Sequence, residues 1–422
     1  VLPPDEAREL LFRHLTAVLP AETLATEAAL GRVTASAIQA PHALPTFRRS
    51  TMDGYAVRAA DTFGASESLP AFLQVVGEVP MGKTAGVTVD AGQAAIVHTG
   101  GMIPETADAV VQIEHTQVIS NQLSVNSEQW VVDSGQSLPF EIEVLRAVAV
   151  GQNVLQVGED VGEGDEILPH GHLLRPQDLG GLLALGITKV AVARRPRVVI
   201  LATGDEVVDP EQAIAPGQIR DINSYTVAGL VRQAGGVPAL GGIIRDNFES
   251  LQTAAAKALA DADMLVMSAG SSVSVRDMTV QVIDSLGQPG VLLHGVATRP
   301  GKPTIVGAVD GKPVLGLPGN PVSAMIQFDM FGTPAIYRLQ GLQEMPRRGL
   351  VWARLSQNIA SESGREDYVP ARLEDTAEGL LATPVFGKSN LIYTLVNADG
   401  LIKVPLNKGG LLVGEWVEVR LF

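Results

Sequence analysis

Four loops of this chain combine glycine, hydroxyl and charged side chains in patterns that could do chemistry. They are Thr203-Gly204-Asp205-Glu206; Gly217 through Asp221 and Asn223 to Ser224; Ser268-Ala269-Gly270-Ser271-Ser272 on to Arg276-Asp277; and Arg299-Pro300-Gly301-Lys302-Pro303, with Leu317-Pro318-Gly319-Asn320-Pro321 shortly after. Glycine, serine and free backbone N–H groups at helix starts bind oxyanions, and Arg299 and Lys302 add formal positive charge. A phosphate or similar anion is the expected ligand. Asp205, Glu206, Asp221 and Asp277 instead supply hard oxygen donors, the set suited to Mg2+ beside a substrate phosphate. Carboxylates facing an anion with no ion between them would repel it. Taken singly, Gly-Asp-Glu reads as a turn, Asp221 as a cap and Pro-Gly-Lys-Pro as a stiffened loop. Four such loops on one sheet edge favour a ligand site.

Two motifs lie outside that edge. Phe47-Arg48-Arg49-Ser50-Thr51-Met52-Asp53-Gly54-Tyr55 sets an Asp-Gly turn between basic residues and a strand, so Asp53 reads as a turn residue or a functional acid. His98-Thr99-Gly100-Gly101 runs a strand into a tight loop, which a plain glycine turn also explains. No histidine pair has metal-ligand spacing, His98 and His294 included. No Ser-His-Asp or Walker arrangement occurs, so nucleophilic hydrolysis and ATP hydrolysis have no support.

The elements that must position these loops are readable from periodicity. Pro3-Pro4-Asp5-Glu6 before an apolar periodic face predicts an opening helix. Short β-branched runs from Gly31 to about Ser137 predict a β-rich region, and the glycine-rich stretch from about Arg146, ending in a short helix from Pro176 to Gly186, reads as a connector. After Arg197 the pattern alternates strand, loop and helix: a continuous apolar strand at 198–202, a helix from Ser224 to Gln233 with Asn223 as N-cap, a strand near Gly241–Ile244, a helix over Phe248–Leu259 and a strand at Met264–Met267. That alternation predicts a mostly parallel α/β sheet over about 187–340, closed by a helix from Pro321 to Gln340. Beyond Gly341, short runs such as Leu391-Ile392-Tyr393-Thr394-Leu395, Leu411-Leu412-Val413 and Glu418-Val419-Arg420 predict strands of a terminal β-barrel. The fold class expected is multidomain α/β plus β, with ligands beyond the carboxyl ends of the parallel strands.

Composition narrows the partners. The chain has 422 residues, length for two to four domains, and 46 acidic against 31 basic side chains give a formal charge of −15. That acidity argues against a nucleic-acid or anionic-membrane surface, so an anionic substrate needs a local basic exception. The absence of cysteine excludes disulfides, zinc ribbons, iron–sulfur ligation and thiol nucleophiles. No apolar run reaches the ~18 residues of a membrane span and no leader is legible at Val1, so a soluble cytoplasmic protein is expected.

Taken together and in order, Thr51-Met52-Asp53-Gly54-Tyr55-Ala56, Thr99-Gly100 through Pro104 to Asp108-Ala109-Val110-Val111, Thr203-Gly204-Asp205-Glu206, Asp221-Ile222-Asn223, Arg299-Pro300-Gly301-Lys302-Pro303 and Leu317-Pro318-Gly319-Asn320-Pro321 resemble the molybdopterin molybdenumtransferase family, to which the E domain of gephyrin is related. The resemblance covers essentially the whole chain. It implies an elongated linker and dimerisation domain (1–45 and 138–186), a β-rich domain (46–137), an α/β molybdopterin-binding domain (187–340) and a C-terminal β-barrel (341–422), assembled as a homodimer. It implies insertion of molybdate into adenylylated molybdopterin with release of AMP, assisted by Mg2+. Residue by residue, Glu206, Asp221 and Asp277 would surround the phosphates and metal, and Asp53 and Thr99 would reach the same cleft from the partner subunit. Gly204, Asp205, Asn223, Ser268, Gly270, Ser272, Gly301 and Asn320 would help bind the cofactor substrate, and Asp160 matches another family acid. Arg299 and Lys302 would hold molybdate or phosphate, with Pro300 and Pro318 shaping the pocket. Some positions depart from the family: Leu155 and Gln156 stand where arginines are usual, Gly295 and Arg299 where lysines are, and Gly270-Ser271 where Gly-Gly is. The alternatives are a molybdopterin adenylyltransferase, which would consume ATP, or a non-catalytic ligand-binding or scaffold paralogue. A separate adenylyltransferase is a possible protein partner.

Overall fold

The run Val198-Val199-Ile200-Leu201 is continuous in apolar residues because it is buried on both faces. Val198 and Ile200 enter one core with Val227, Val231, Met264 and Leu315, while Val199 and Leu201 enter a second core with Leu251, Ala255, Leu265 and Val314. The sheet that divides these cores has six strands in the order Val237–Ile244, Arg197–Thr203, Met264–Ser268, Lys312–Leu317, Ile305–Val309 and Pro289–His294. The first four are parallel, and the last two extend the sheet as antiparallel neighbours. Helix Asn223–Gln233 packs into the first core, and helices Phe248–Asp261 and Val273–Leu286 into the second. Leu251 is fully buried, so Leu251→Ala is expected to cost about 2–5 kcal/mol.

The computed structural model describes residues 1–17, 19–119, 138–268 and 273–422. They fall into two units: Val1–Ala37 with Pro169–Gly180 and Thr188–Phe422, and Ile38–Leu168 with Gly181–Ile187. The first unit holds the α/β sheet. Its N-terminal helix Pro4–Arg13 places Ala7 and Leu11 in the first core. Its C-terminal part is a β-barrel of strands Leu350–Leu355, Glu366–Thr376, Gly379–Pro384, Gly400–Val404 and Trp416–Leu421, closed by pairing of Glu366–Thr376 with Gly400–Val404 around Ala353, Leu355, Ile402 and Val419. The second unit is β-rich: a six-stranded sheet runs Ala109–Gln112, Gly54–Val57, Gln93–Val97, Ala71–Glu78, Phe140–Val144 and Thr116–Val118.

Three local expectations are corrected. The helix expected from Pro321 to Gln340 is two helices, Pro321–Gln327 and Thr333–Leu339, joined by a π-helical turn over Phe328–Gly332 that buries both Phe328 and Phe331. Asn223 begins its helix rather than capping it; Asp221 Oδ1 accepts from Ser224 N at 3.0 Å and takes that role. The strand expected at Leu391–Leu395 is a turn leading into the short helix Tyr393–Val396. Thr394 and Leu395 are buried there while Leu391, Tyr393 and Val396 are exposed, a spacing that no alternating strand gives.

Candidate active site

Three of the four polar loops follow strands whose carboxyl ends lie at one edge of the sheet, and the second, which carries Ile219–Arg220 of a separate two-stranded pair with Val207–Val208, leads into helix Asn223–Gln233. Lys312–Leu317 is parallel to Met264–Ser268, and two successive antiparallel pairings restore the same direction to Pro289–His294. The fourth loop and the barrel together enclose a cavity of about 690 Å³. Arg299, Pro300, Gly301, Lys302, Pro318 and Asn320 line it from the sheet side, and Arg365, Asp367, Lys388 and Ser389 from the barrel side. Four cations thus face one carboxylate in a chain of net charge −15, the local basic exception that an anionic ligand requires.

Local chemistry fixes this wall. Gly301 has φ +108°, and a Cβ there would lie 2.4 Å from Gln327 Cγ, so only glycine fits. Gln327 is fully buried and its Nε2 donates to Pro300 O at 2.9 Å, while Thr304 Oγ1 donates to Gly301 O at 2.6 Å. Strand Thr298–Arg299 pairs in parallel with Glu366–Thr376, setting Arg299 opposite Asp367. The Arg299 guanidinium is 3.6 Å from Asp367 Oδ2 and Arg365 Nε donates to Asp367 Oδ1 at 3.0 Å, so one buried carboxylate orients both arginines.

A polar chain continues from the cavity along the edge. Asn320 Nδ2 donates to Ser389 Oγ at 2.9 Å. One residue earlier, Gly319 O accepts from Asn223 Nδ2 at 2.8 Å, and the same amide donates to Ser268 Oγ at 2.9 Å. Asn223 is 8% exposed, and its Oδ1 has no hydrogen-bond partner among the described residues. A buried acceptor left open costs about 1–3 kcal/mol, so a donor from outside the chain would be welcome there.

The acidic residues gather differently from the sequence expectation. Asp205 and Glu206 follow strand Arg197–Thr203, and Asp246 follows strand Val237–Ile244 at the same edge, its N–H reaching Asp205 Oδ1 at 3.4 Å. Burial and the charges of Asp205 and Glu206 raise the Asp246 carboxyl above its ordinary range. Asp221 is buried and one of its oxygens is used as the helix cap; Asp277 is exposed on helix Val273–Leu286. Among the described residues, no group of three His, Cys, Asp or Glu could hold a metal ion by itself. Glu206, Asp221 and Asp277 are therefore not brought into a preformed cation site among the described residues.

In the second unit, Thr99 N donates to Asp53 Oδ1 at 2.8 Å, and Ile113 N donates to Asp53 O at 3.2 Å. Asp53 and Thr99 are both exposed, and His98 Nε2 pairs with Glu78 Oε1 at 2.8 Å beside them. Asp160 is also exposed, held by its N–H to Leu44 O at 3.0 Å. Gly270 and Ser272 lie outside the described residues. Arg365, Asp367, Lys388, Ser389 and Asp246 escaped sequence reasoning. Their signals were faint: a charged Gly364-Arg365-Glu366-Asp367 turn, a polar Lys388-Ser389-Asn390 interruption, and Asp246 just past a strand.

Three family models match successive stretches of the chain. Residues 2–186 match the family model of the MoeA N-terminal region (domain I and II), 199–338 that of a probable molybdopterin binding domain, and 352–422 that of the MoeA C-terminal region (domain IV). A molybdopterin molybdenumtransferase of Nostoc sp. is 34% identical over 398 residues, 93% of this chain and 86% of that protein. That of Bacillus subtilis is 32% identical over 421 residues, covering 100% and 94%. The crystal structure of a molybdopterin biosynthesis moeA protein from Pyrococcus horikoshii OT3 superposes with a TM-score of 0.82 at 32% identity over 100% of both chains.

Proposed function

The chain belongs to the MoeA family, and on that premise we propose that it is a molybdopterin molybdenumtransferase, inserting molybdate into adenylylated molybdopterin with release of AMP. The observation that carries this reading is the basic cavity of about 690 Å³. Molybdate is a tetrahedral dianion, and Arg299, Lys302, Arg365 and Lys388 line the cavity wall as its counter-charges, with the Ser389 hydroxyl among them. Each cation within about 4 Å contributes roughly 1 kcal/mol in water and about 4 kcal/mol at a protein-surface dielectric for every unit of negative charge, so a dianion doubles both. The Arg299–Asp367 pair has an exposed guanidinium and is worth about 0–1 kcal/mol, so an entering dianion can draw Arg299 away from it.

Glu206, Asp221 and Asp277, with Asp205 and Asp246 beside Glu206, are proposed to hold Mg2+ against the substrate phosphates. When bound, the ion would neutralise charge on the pyrophosphate as AMP leaves. Gly204 has φ +141°, and a Cβ there would lie 2.8 Å from Glu206 Oε2, so the carboxylate needs glycine beside it; Asn223, tied to both Ser268 and Gly319, holds the neighbouring loops in register, and its open Oδ1 accepts a donor from the substrate. Gly270 and Ser272 are assigned to phosphate contacts on the family likeness alone.

The likeness further suggests a cytoplasmic homodimer in which Asp53 and Thr99 serve the partner subunit, and a separate adenylyltransferase that supplies the substrate. No helix among the described residues is long and apolar enough to cross a membrane. The deciding experiment is AMP release by the purified protein from adenylylated molybdopterin with Mg2+, with and without molybdate. Molybdate-dependent release is expected; ATP-dependent adenylylation, or tight binding without release, would overturn the assignment.

A further inference from the structure

Resting on the reading above, we propose that Phe386 is a stacking platform for a flat heteroaromatic ring of the substrate, at the wall of the oxyanion cavity. Two aromatic rings line that cavity, Tyr368 and Phe386. Tyr368 is committed to the barrel: it is 9% exposed, its hydroxyl donates to Glu366 Oε2 at 2.6 Å, and the Arg420 guanidinium sits 5.9 Å from its ring centroid. Phe386 is 57% exposed in the same wall, two residues from Lys388 and three from Ser389. A tetrahedral oxyanion is satisfied by cations and hydrogen-bond donors and gains nothing from a phenyl face. Phe386 therefore addresses an uncharged part of whatever the cations hold, and a ring attached to a phosphate is the chemistry that uses both at once.

The segment carrying Phe386 is fastened on either side. Val385 N donates to Pro370 O at 2.7 Å, and Ser389 O accepts from Val322 N at 3.1 Å while Ser389 Oγ accepts from Asn320. Between them, Gly387 is pressed against the short helix Tyr393–Val396, where a Cβ would lie 2.3 Å from Thr394 Cγ2. The phenyl ring is thus presented from a held backbone, and little freedom remains to be lost when a ring lies on it. The substrate carries two candidate rings, the pterin and the adenine, and the same stacking chemistry serves either.

The test uses the full-length protein in two arms. In the first, Phe386→Trp fluorescence is titrated separately with AMP and with pterin-6-carboxylic acid, against the same titrations of the unchanged chain, whose own tryptophans supply the background. Quenching above background by one compound is expected and names the ring. In the second, Phe386→Ala is expected to raise KM for adenylylated molybdopterin roughly tenfold, with kcat and the KM for molybdate unchanged and Phe386→Tyr close to the unchanged chain. The proposal is overturned if neither compound quenches, if KM for the substrate does not move, or if the molybdate KM moves instead. The fluorescence arm needs no turnover, so a chain that fails to release AMP would end the transferase reading while the stacking still stood or fell by its own result.

Discussion

Arg299 and Asp367 stand opposite one another across a two-residue parallel pairing, with guanidinium and carboxylate 3.6 Å apart, and Asp367 also takes the Nε hydrogen of Arg365. One acid at the start of a barrel strand therefore aims two cations contributed by different parts of the chain. The Arg299 side chain is 62% exposed, so this pair orients more than it stabilises. Arg299→Ala is expected to raise KM for molybdate by about tenfold while changing unfolding free energy by less than about 1 kcal/mol. Steady-state kinetics beside a denaturant melt checks both. An unchanged molybdate KM would remove Arg299 from the anion site.

Asp221 serves two purposes that substitution can separate. Asp221→Ala loses the cap on helix Asn223–Gln233 and is expected to cost about 0.5–2 kcal/mol of stability together with turnover. Asp221→Asn keeps an acceptor for Ser224 N and should recover most of the stability without the turnover. If the asparagine variant is fully active, the charge of Asp221 has no part in the reaction.

Mg2+ should bind poorly to the free protein, because no three-ligand group among the described residues is preformed. Calorimetry is expected to show weak Mg2+ binding alone and tighter binding once adenylylated molybdopterin is present, with Glu206→Gln removing the difference. Chelation with EDTA should stop AMP release, and added Mg2+ should restore it. Tight binding to the free protein would contradict this picture.

Asp178 supplies a pH test within the first unit. Burial alone would raise its carboxyl, but hydrogen bonds from Arg175 and His172 outweigh that and hold it at about 2. A depressed acid stabilises the fold above its unfolded value near ~4, and that contribution is lost as pH falls through the folded value. Asp178→Asn should therefore melt below the unchanged chain at neutral pH, with the gap closing between about pH 4 and pH 2. A gap that persists at the acid end would show that the carboxylate charge is not its source.

A homodimer that shares residues between subunits can be tested by mixing. Asp53→Ala and Glu206→Gln are each expected to be inactive, and the pair, unfolded together and refolded, should regain part of the activity. No regain, with dimers demonstrated by light scattering, would place Asp53 and Glu206 in service of the same chain.

The α/β sheet was legible because its strands are buried on both faces and therefore read as unbroken apolar runs, as at 198–202. Leu391–Leu395 misled for the converse reason. Its residue types suit a strand, yet the backbone turns where Leu391 N reaches Lys388 O at 2.9 Å and Thr394 Oγ1 reaches Leu391 O at 2.8 Å. The sheet-side half of the cavity, Arg299 to Lys302 with Pro318 and Asn320, stood out as glycine- and proline-rich loops. The barrel-side half did not, because Asp367 and Lys388 sit in ordinary-looking polar stretches; the register of Thr298–Arg299 on Glu366–Thr376 brings Asp367 across, and the bonds of Ser389 to Val322 and Asn320 bring Lys388. Asp246 was hidden in the same way, acquiring its acidic neighbours through the order of strands in the sheet.

The π-helical turn at Phe328–Gly332 has an outcome for how the cavity chooses its guest. The turn carries Asp329, whose Oδ2 meets Arg348 Nη1 at 2.5 Å and Arg420 Nη2 at 2.7 Å, the latter on the last barrel strand. Asp329 is thus a strut between the helix behind the sheet and the barrel that forms the opposite wall. With the two walls braced, the backbones that carry Arg299 and Lys388 keep their register, while the exposed Arg299 side chain stays free to leave Asp367 for a guest. Selection then falls to side chains moving on a fixed frame, and loosening the strut with Asp329→Ala should weaken oxyanion binding without removing a counter-charge from the cavity, read as a raised KM for molybdate.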